Sequence, residues 1–184
     1  MSARPSPAEL AAATGRRVPD VLAAGLDLVF CGINPGLWSA ATGHHFARPG
    51  NRFWRVLYLS GFTARELAPD DEAELLAAGI GITNLVARAT AAAAELGREE
   101  LRRGAAALVR RLEDARPRSV AFLGLGAYRT AFADPRARIG PLGTPVGGAS
   151  AWLLPNPSGA QARYQLPELV AHFDELRRAL YAGR

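Results

Sequence analysis

The chain has 184 residues, of which 49% are hydrophobic and 21% are charged, so it is long enough for one globular domain with a buried core. It contains no run of about 18 apolar residues, and its first residues lack the apolar segment of a secretory signal, so neither a membrane-spanning helix nor secretion is expected. The single cysteine, Cys31, excludes an internal disulfide and a four-cysteine metal or iron–sulfur site within one chain. We therefore expect a cytoplasmic protein.

In chain order, hydrophobic periodicity and turn residues predict strands that alternate with helices. Residues 1–20 are rich in Pro, Ala and Arg, and we predict a mobile leader with room for a short helix, followed by one domain over 21–184. The predicted strands are Leu26–Ile33, Gly81–Val86, Ser119–Leu123 and Ala151–Leu154. The predicted helices are Asn51–Ser60, Pro69–Ala78, Arg98–Ala115, Ala127–Ala133 and Leu166–Leu180, and residues 134–150 are predicted to form a loop or hairpin.

The alternation predicts an α/β fold, namely a single three-layer α/β/α domain with a short, mainly parallel central sheet. In such sheets, ligands bind at the carboxyl ends of the strands. Two predicted strands end in similar loops, GINPG at 32–36 and PNPSG at 155–159. Proline and glycine stop a strand and expose backbone amides, and asparagine adds a neutral donor and acceptor. We therefore expect a pocket lined with amide groups.

The basic side chains have an uneven distribution along the chain. All 22 are arginines, against 17 acidic residues, and the formal net charge is +5. Residues 28–65 and 135–167 contain no acidic residue but several arginines. If these two segments meet in space, they favour contact with a phosphate backbone. Because lysine is absent, no ε-amino group can act as a nucleophile or base.

Four sequence blocks carry a family resemblance. They are GINPG at 32–36, GHHFARPGNRFW at 43–54, TNLVAR at 83–88 and LPNPSG at 154–159. In this order they resemble the mismatch-specific uracil/thymine-DNA glycosylase family of the uracil-DNA glycosylase superfamily, over residues 24–181. The resemblance implies a uracil-DNA glycosylase-like fold and a monofunctional DNA repair hydrolase. Such an enzyme flips uracil, and in some members thymine or an exocyclic base adduct, out of mismatched double-stranded DNA and hydrolyses its N-glycosidic bond.

The resemblance also implies a role for each matched position. Asn34 would hold the water that attacks the sugar C1′, and Phe46 would stack on the flipped base. Backbone amides of the first loop, including those of Ile33 and Phe46, would contact the edge of the base. Gly36 stands where the classical uracil enzymes carry a bulky tyrosine, so the pocket would be roomier. The second loop would enter the duplex and contact the widowed guanine.

Further candidates lie beside these motifs. His45, next to Phe46, is a candidate for contact with the base or a phosphate, whereas for Asn84 a contact with the base or water and a structural hydrogen bond are equal alternatives. The residues predicted to contact DNA are Asn156, Ser158, Gly159, Ala160, Gln161, Arg163, Arg48 and Arg52. Some family members place a larger wedge residue where this chain has Ala160, so Gln161 and Arg163 are the alternative wedges and the opposing-base specificity stays open.

The sequence also bears on cofactors and on alternative functions. Adjacent histidines point to opposite sides of an extended chain, and GLG at 124–126 lacks the third glycine of a dinucleotide fingerprint, so we expect no metal and no cofactor. We expect a monomer that binds double-stranded DNA and no membrane. Since an asparagine orients water but accepts no proton, turnover is expected to be slower than in a relative with aspartate at this place. A damage-binding protein of the same fold is the alternative. A nucleoside enzyme is disfavoured, because a free nucleoside needs no arginine-rich field.

Overall fold

The computed structural model describes residues 4–159 and 163–182. Its strands are β1 (Leu28–Gly32), β2 (Ile80–Asn84), β3 (Ser119–Leu123), β4 (Gly140–Pro141) and β5 (Ser150–Leu154). Its α-helices are α1 (Pro7–Ala12), α2 (Leu37–Thr42), α3 (Phe53–Leu59), α4 (Glu72–Ala77), α5 (Arg98–Ala115), α6 (Leu125–Ala131) and α7 (Leu166–Tyr181). Short 3-10 turns occupy Pro69–Asp71 and Ala93–Glu95. Among the helices described, none is both long and apolar enough to cross a membrane.

The strands form one sheet in the order β2-β1-β3-β5-β4. β2, β1, β3 and β5 are parallel, and the two-residue β4 pairs antiparallel with β5. Every residue of β1, β2 and β3 is buried, as is typical of a parallel sheet covered on both faces. Successive side chains of a strand point to opposite faces, so one run can supply two cores.

Helices cover both faces of the sheet and give the domain three layers. Val29 of β1 packs in a cluster with Leu108 and Leu112 of α5. Phe30, the next residue, packs on the other face, where its ring stacks on that of Phe173 from α7 at a centroid distance of 5.6 Å. The predicted three-layer α/β/α architecture with a mainly parallel sheet is therefore confirmed.

Most predicted elements have close counterparts. α5 and β3 have the predicted bounds. The segment 134–150, predicted as a loop or hairpin, contains the two-residue β4, which pairs with β5 at the end of the segment. The sequence did not predict α2, because its six residues between Gly36 and Gly43 are too few for a periodic pattern and its first turn has no side-chain cap.

The N-terminal segment lies against the edge strand β2. Val21 and Ile82 exchange two backbone hydrogen bonds of 2.9 Å, and Ala13 and Val18 are buried. α1 corresponds to the short helix that was predicted as possible within residues 1–20, and Ser6 is its N-cap. These contacts shield one sheet edge from pairing with another chain. The mobility expected of residues 1–20 and the domain start at residue 21 stay predictions.

Gly104 provides a test of the packing between α5 and the loop that follows β2. A Cβ at this position would collide with the carbonyl oxygen of Leu85. We expect Gly104→Ala to lower the free energy of unfolding by about 1–3 kcal/mol, since overpacking forces the helix away from the loop. Urea unfolding measures the change.

Gly126→Ala in α6 is the matched control, because a Cβ there would meet no heavy atom within 4 Å. Its better helix propensity should raise the free energy of unfolding by roughly 0.5–1 kcal/mol. Stabilisation by both substitutions would contradict the close approach at Gly104.

Candidate active site

A cavity of about 380 Å³ opens at the carboxyl ends of β1, β2 and β3. It is lined by residues from the loop after β1 (32–36), from 45–51, from 84–94 and from the second loop at 156 and 158. We call it the edge cavity. Its volume lies in the range of small-molecule pockets, roughly 300–1,000 Å³. Among its described lining residues only His45 and Arg48 are ionisable, so amides, hydroxyls and an aromatic ring dominate its chemistry.

Asn34 projects from the loop after β1 with its carboxamide nitrogen tied to the protein. Nδ2 donates to the carbonyl oxygen of Arg88 at 3.0 Å, to Oγ1 of Thr90 at 2.7 Å and to its neighbour Pro35 O at 3.2 Å. Backbone carbonyls only accept hydrogen bonds, so the nitrogen must be the atom on that side. Oδ1 is therefore the end of the carboxamide that remains to accept a hydrogen bond from a ligand or water.

Thr90 is a site residue that sequence reasoning missed. It is buried, lines the edge cavity, and donates its own hydroxyl hydrogen to Ala92 O at 2.9 Å while accepting from Asn34. Its backbone N–H also donates to Pro35 O at 3.2 Å. A threonine in an alanine-rich loop resembles an ordinary turn residue, so nothing local in the sequence distinguishes it.

Phe46 forms an aromatic wall of the edge cavity. Its ring stacks on that of Phe53, the first residue of α3, at a centroid distance of 4.0 Å and an interplanar angle of 27°. Its backbone has φ of 54°, a left-handed conformation that a bulky residue adopts only under tertiary constraint. Because Phe53 is fully buried, the Phe46 ring has a fixed support on one side, which leaves it able to stack on a planar ligand.

His45 and Asn84 form a buried pair beside the aromatic wall. The Nε2 atom of His45 lies 2.9 Å from Pro19 O, and its Nδ1 lies 3.3 Å from Nδ2 of Asn84. Both ring nitrogens thus have partners inside the protein, so the ring is not placed to bind a base or phosphate directly. Glu72 accepts from the backbone N–H of His45 at 2.6 Å and contacts the ring of His44 at 3.3 Å.

Two glycines shape the cavity. Gly32 faces Asn84 across the β1–β2 register, and a Cβ on Gly32 would lie 2.5 Å from Asn84 Oδ1 and 3.4 Å from the tip of the Phe46 ring. At Gly36, by contrast, a Cβ would meet no atom within 4 Å. The position could therefore hold a larger side chain, and glycine keeps this part of the cavity open.

Arg52 holds the second loop and does not lie on an open surface. Its guanidinium donates to the carbonyl oxygens of Pro157, Ser158 and Tyr164 at 3.2, 3.1 and 2.7 Å. The sequence assigned Arg52 to contact with DNA because it is a cation in an acid-free segment. The structure instead gives its donors to three carbonyls, so its role is to position this loop.

The second loop also packs closely on the loop before α3. A Cβ on Gly159 would lie 2.6 Å from the carbonyl oxygen of Gly50, so only glycine permits this approach. Asn156 lines the edge cavity and accepts a hydrogen bond from Ser158 N at 2.9 Å, which forms a local turn. The two arginine-rich, acid-free segments therefore meet beside the cavity.

Exposed arginines lie on both of the acid-free segments, 28–65 and 135–167, that meet beside the cavity. Arg48 borders the edge cavity, and Arg163 lies with its guanidinium 5.8 Å from the ring centroid of Tyr164. Arg136 and Arg138 are also exposed. Ala160 and Gln161, which the sequence assigned to DNA contact, lie outside the described residues.

The described residues place no reactive thiol and no group of metal-binding side chains at the edge cavity. Cys31 lies within β1, and burial raises the pKa of its thiol far above the usual range, so the thiolate is not formed near neutral pH. Within residues 4–159 and 163–182, no three His, Cys, Asp or Glu side chains are grouped so that they could hold a metal ion.

Comparison with known proteins identifies the family. The model of the "Uracil DNA glycosylase superfamily" matches residues 19–181. The fold is similar to the solution NMR structure of a protein from Methanosarcina acetivorans that is described as a candidate uracil DNA glycosylase. The TM-score is 0.59 at 21% sequence identity, over 89% of this chain and 98% of that one, and the similarity supports a shared fold.

The role of Arg52 is testable through the loop that it holds. We expect Arg52→Lys to lower the free energy of unfolding by about 1–3 kcal/mol, because one ammonium group cannot serve three carbonyls in the geometry of a planar guanidinium. We also expect faster proteolytic cleavage within residues 155–164. Arg48→Lys, at an exposed position, is the control and should change neither quantity. Equal behaviour of the two variants would remove the positioning role of Arg52.

Proposed function

The chain belongs to the uracil DNA glycosylase superfamily, and on this premise we propose that it excises uracil from mismatched double-stranded DNA by hydrolysing the N-glycosidic bond. Thymine and exocyclic base adducts are further substrates in this proposal. The observation that carries it is the fixed carboxamide of Asn34, whose nitrogen is held by three acceptors and whose oxygen remains for water, in a cavity with an aromatic wall.

The proposed reaction uses an extruded base stacked on Phe46. Such stacking contributes about 1–3 kcal/mol per base. Asn34 Oδ1 accepts a hydrogen bond from a water molecule and so aims the water oxygen at C1′. The new C1′–O bond forms as the C1′–N bond breaks, the electron pair leaves with the base, and the water proton passes to solvent.

The leaving group provides most of the proposed rate enhancement. An asparagine is no general base, and the described lining of the edge cavity contains no carboxylate, so the attacking water stays a weak nucleophile. The departing base develops negative charge, which the backbone amides of Ile33, in the loop after β1, and of Phe46, in the segment after α2, would stabilise through oriented dipoles. The nearby Arg48 adds a positive charge to this field.

Space at Gly36 supports the wider substrate range. A Cβ there would have no neighbour within 4 Å, so a base with a 5-methyl group or an additional ring is not blocked at this position. This openness, together with sequence blocks like those of the mismatch-specific family, favours a mismatch-directed enzyme over one restricted to uracil.

The second candidate function is a damage-binding protein of the same fold with little turnover. It is favoured by the described lining of the edge cavity, which contains no carboxylate that could act as a general base. One assay separates the two functions. A duplex with a single G·U pair is incubated with excess protein and then treated with alkali, beside a G·C duplex and free deoxyuridine. Alkali-dependent cleavage at the uracil supports the proposed enzyme, and binding without cleavage supports the damage-binding protein. Hydrolysis of free deoxyuridine alone would contradict both.

Asn34 and Thr90 generate a paired prediction. We expect Asn34→Ala to reduce single-turnover excision to background while duplex affinity survives, since phosphate contacts lie elsewhere. Thr90→Val keeps the shape but removes the acceptor of Asn34 Nδ2, and should slow excision at least about tenfold, or about 1.4 kcal/mol.

Thr90→Ser retains the hydroxyl and is the control, with an expected rate within a few-fold of the parent protein. Equal excision rates for Thr90→Val and Thr90→Ser would contradict the role of Thr90 in holding Asn34. Excision of uracil by Asn34→Ala at the parent rate would contradict the role of Asn34 in holding the water.

Salt dependence tests the proposed DNA-facing surface. Double replacement of Arg48 and Arg163 by Gln should lower the slope of log affinity against log salt by about 1.8, since each phosphate contact contributes about 0.9. The control is the replacement of Arg110 and Arg116 by Gln, which removes the same charge from two exposed positions. Both lie towards the C-terminal end of α5, near the amino ends of the strands and away from the edge cavity. Titrations of a labelled duplex at several salt concentrations measure both slopes. Equal changes in the two variants would argue against a surface at Arg48 and Arg163.

A further inference from the structure

The pairing of the N-terminal segment with β2 resumes beyond the end of that strand, as a short antiparallel bridge. The backbone N–H of Gly15 donates to the carbonyl oxygen of Ala89 at 2.9 Å, and the N–H of Ala89 donates to the carbonyl oxygen of Arg16 at 2.8 Å. We call residues 13–18 the strap. Both backbone polar groups of Ala89 are thus bonded to the strap.

Small apolar side chains fill the space between the strap, α2 and this part of the chain. Ala13 and Val18 of the strap, Ala40 of α2 and Ala89 form one cluster of buried residues. The side chains of Ala13 and Ala89 are completely buried, although the strap lies on the outside of the sheet edge. The strap therefore holds the chain around Ala89 by packing as well as by hydrogen bonds.

The peptide group between Arg88 and Ala89 connects the strap to Asn34. A trans peptide group is planar, and its N–H and C=O point in opposite directions. The N–H of this group donates to Arg16 in the strap, and its C=O accepts from Asn34 Nδ2 at 3.0 Å. Because the group is rigid, fixing its N–H directs its C=O towards the carboxamide.

A change in this peptide group would loosen the carboxamide of Asn34. If the N–H lost its acceptor in the strap, the peptide plane could rotate and turn its carbonyl oxygen away from Nδ2. The other acceptors of Nδ2 are Pro35 O, which belongs to the next residue and moves with Asn34, and Thr90 Oγ1. Of the acceptors described, Thr90 alone would then tie the carboxamide nitrogen to a distant part of the chain.

We propose that the strap is a positioning element of the active site, which through the peptide group between Arg88 and Ala89 holds Asn34 in the orientation that binds the attacking water. The inference rests on the proposed function. Gly15 and Arg16 are exposed and do not line the edge cavity, so they affect the reaction only through the chain that they hold.

Two glycines allow a matched test of the strap. Gly15 and Gly25 have φ of 77° and 71°, and a Cβ at either position would meet no heavy atom within 4 Å. A β-branched residue strongly disfavours such φ values, so valine imposes a similar backbone strain at both positions without a collision of its Cβ. Gly25 also donates its N–H to a carbonyl oxygen, that of Ala115 at 2.8 Å, but it precedes β1 at the amino edge of the sheet.

Gly15→Val should weaken the pairing of the strap with Ala89. We expect single-turnover excision of uracil from a G·U duplex to fall at least about fivefold, because the water is less well aimed at C1′. Duplex affinity should stay within about twofold of the parent value, since the proposed phosphate contacts of Arg48 and Arg163 are unchanged. Gly25→Val should excise at the parent rate even though urea unfolding shows a similar loss of stability, and all rates are measured where both variants are fully folded.

The side-chain amide signals of Asn34 provide a readout that a general loss of stability does not move and that does not depend on turnover. In ¹H–¹⁵N spectra, the two Nδ2 hydrogens of Asn34 should change position in Gly15→Val and keep the parent position in Gly25→Val. Asn34→Ala identifies these signals by their disappearance.

The outcomes separate the strap from the proposed function. If the parent protein excises nothing while the Asn34 signals respond to Gly15→Val alone, the proposed function is wrong and the strap still positions Asn34. If the parent protein excises uracil and the two valine variants have equal rates, the proposed function stands and the positioning role of the strap is overturned.

Hydrogen exchange in the unmodified protein keeps the inference testable if Gly15→Val does not fold. The N–H of Ala89 is bonded only if the strap is in place, so it should exchange far more slowly than the backbone amides of the exposed residues 91–94. Exchange of the Ala89 N–H as fast as theirs would show that the strap is detached in solution and would overturn the proposal.

Discussion

A primary carboxamide has one donor end and one acceptor end, so holding the nitrogen decides where the oxygen points. The edge cavity depends on this constraint twice. Asn34 is held by two backbone carbonyls and Thr90, and Nδ2 of Asn84 lies 3.3 Å from Nδ1 of His45. In both cases the oxygen is the end left for a ligand. A site without a carboxylate in its described lining can still bind water and a base edge directionally, because neutral groups with fixed dipoles need no reorganisation during the reaction.

Arginine side chains serve two different purposes in this lysine-free protein. Arg52, Arg111 and Arg129 donate to backbone carbonyls and hold the second loop, the end of β2 and the loop after α6 respectively. A planar guanidinium with five N–H donors suits this role, which one ammonium group could not fill. Arg48 and Arg163 lie at exposed positions, where we propose that they contact a phosphate backbone. Net charge alone overstates the cationic surface, since part of it is committed to internal contacts.

The cavity joins segments that are far apart in the chain. Pro19 and Asp20 come from the N-terminal segment that covers the edge strand, and both act on Asn84, one through His45 and the other through Arg111. The contact that covers the edge of the sheet therefore also orients its functional end. On the opposite side, the approach of Gly159 to Gly50 places the second loop beside the first. The fold thus positions the lining of the edge cavity and the second loop with the same contacts that close its surface.

The sequence by itself determined the order of strands and helices, the three-layer class and the two loops at the carboxyl edge. These depend on local information, such as the buried runs of β1 and β3, the helical spacing in α5 and the glycines and prolines that end strands. Only the tertiary structure decided which end of each carboxamide faces the cavity, that Thr90 holds Asn34, and that Arg52 lies beneath the second loop. Hydrophobic periodicity predicts whether a side chain is buried, but it does not predict its hydrogen-bond partner. Pro19 and His45, for example, are distant in the chain, and only tertiary packing brings them into contact.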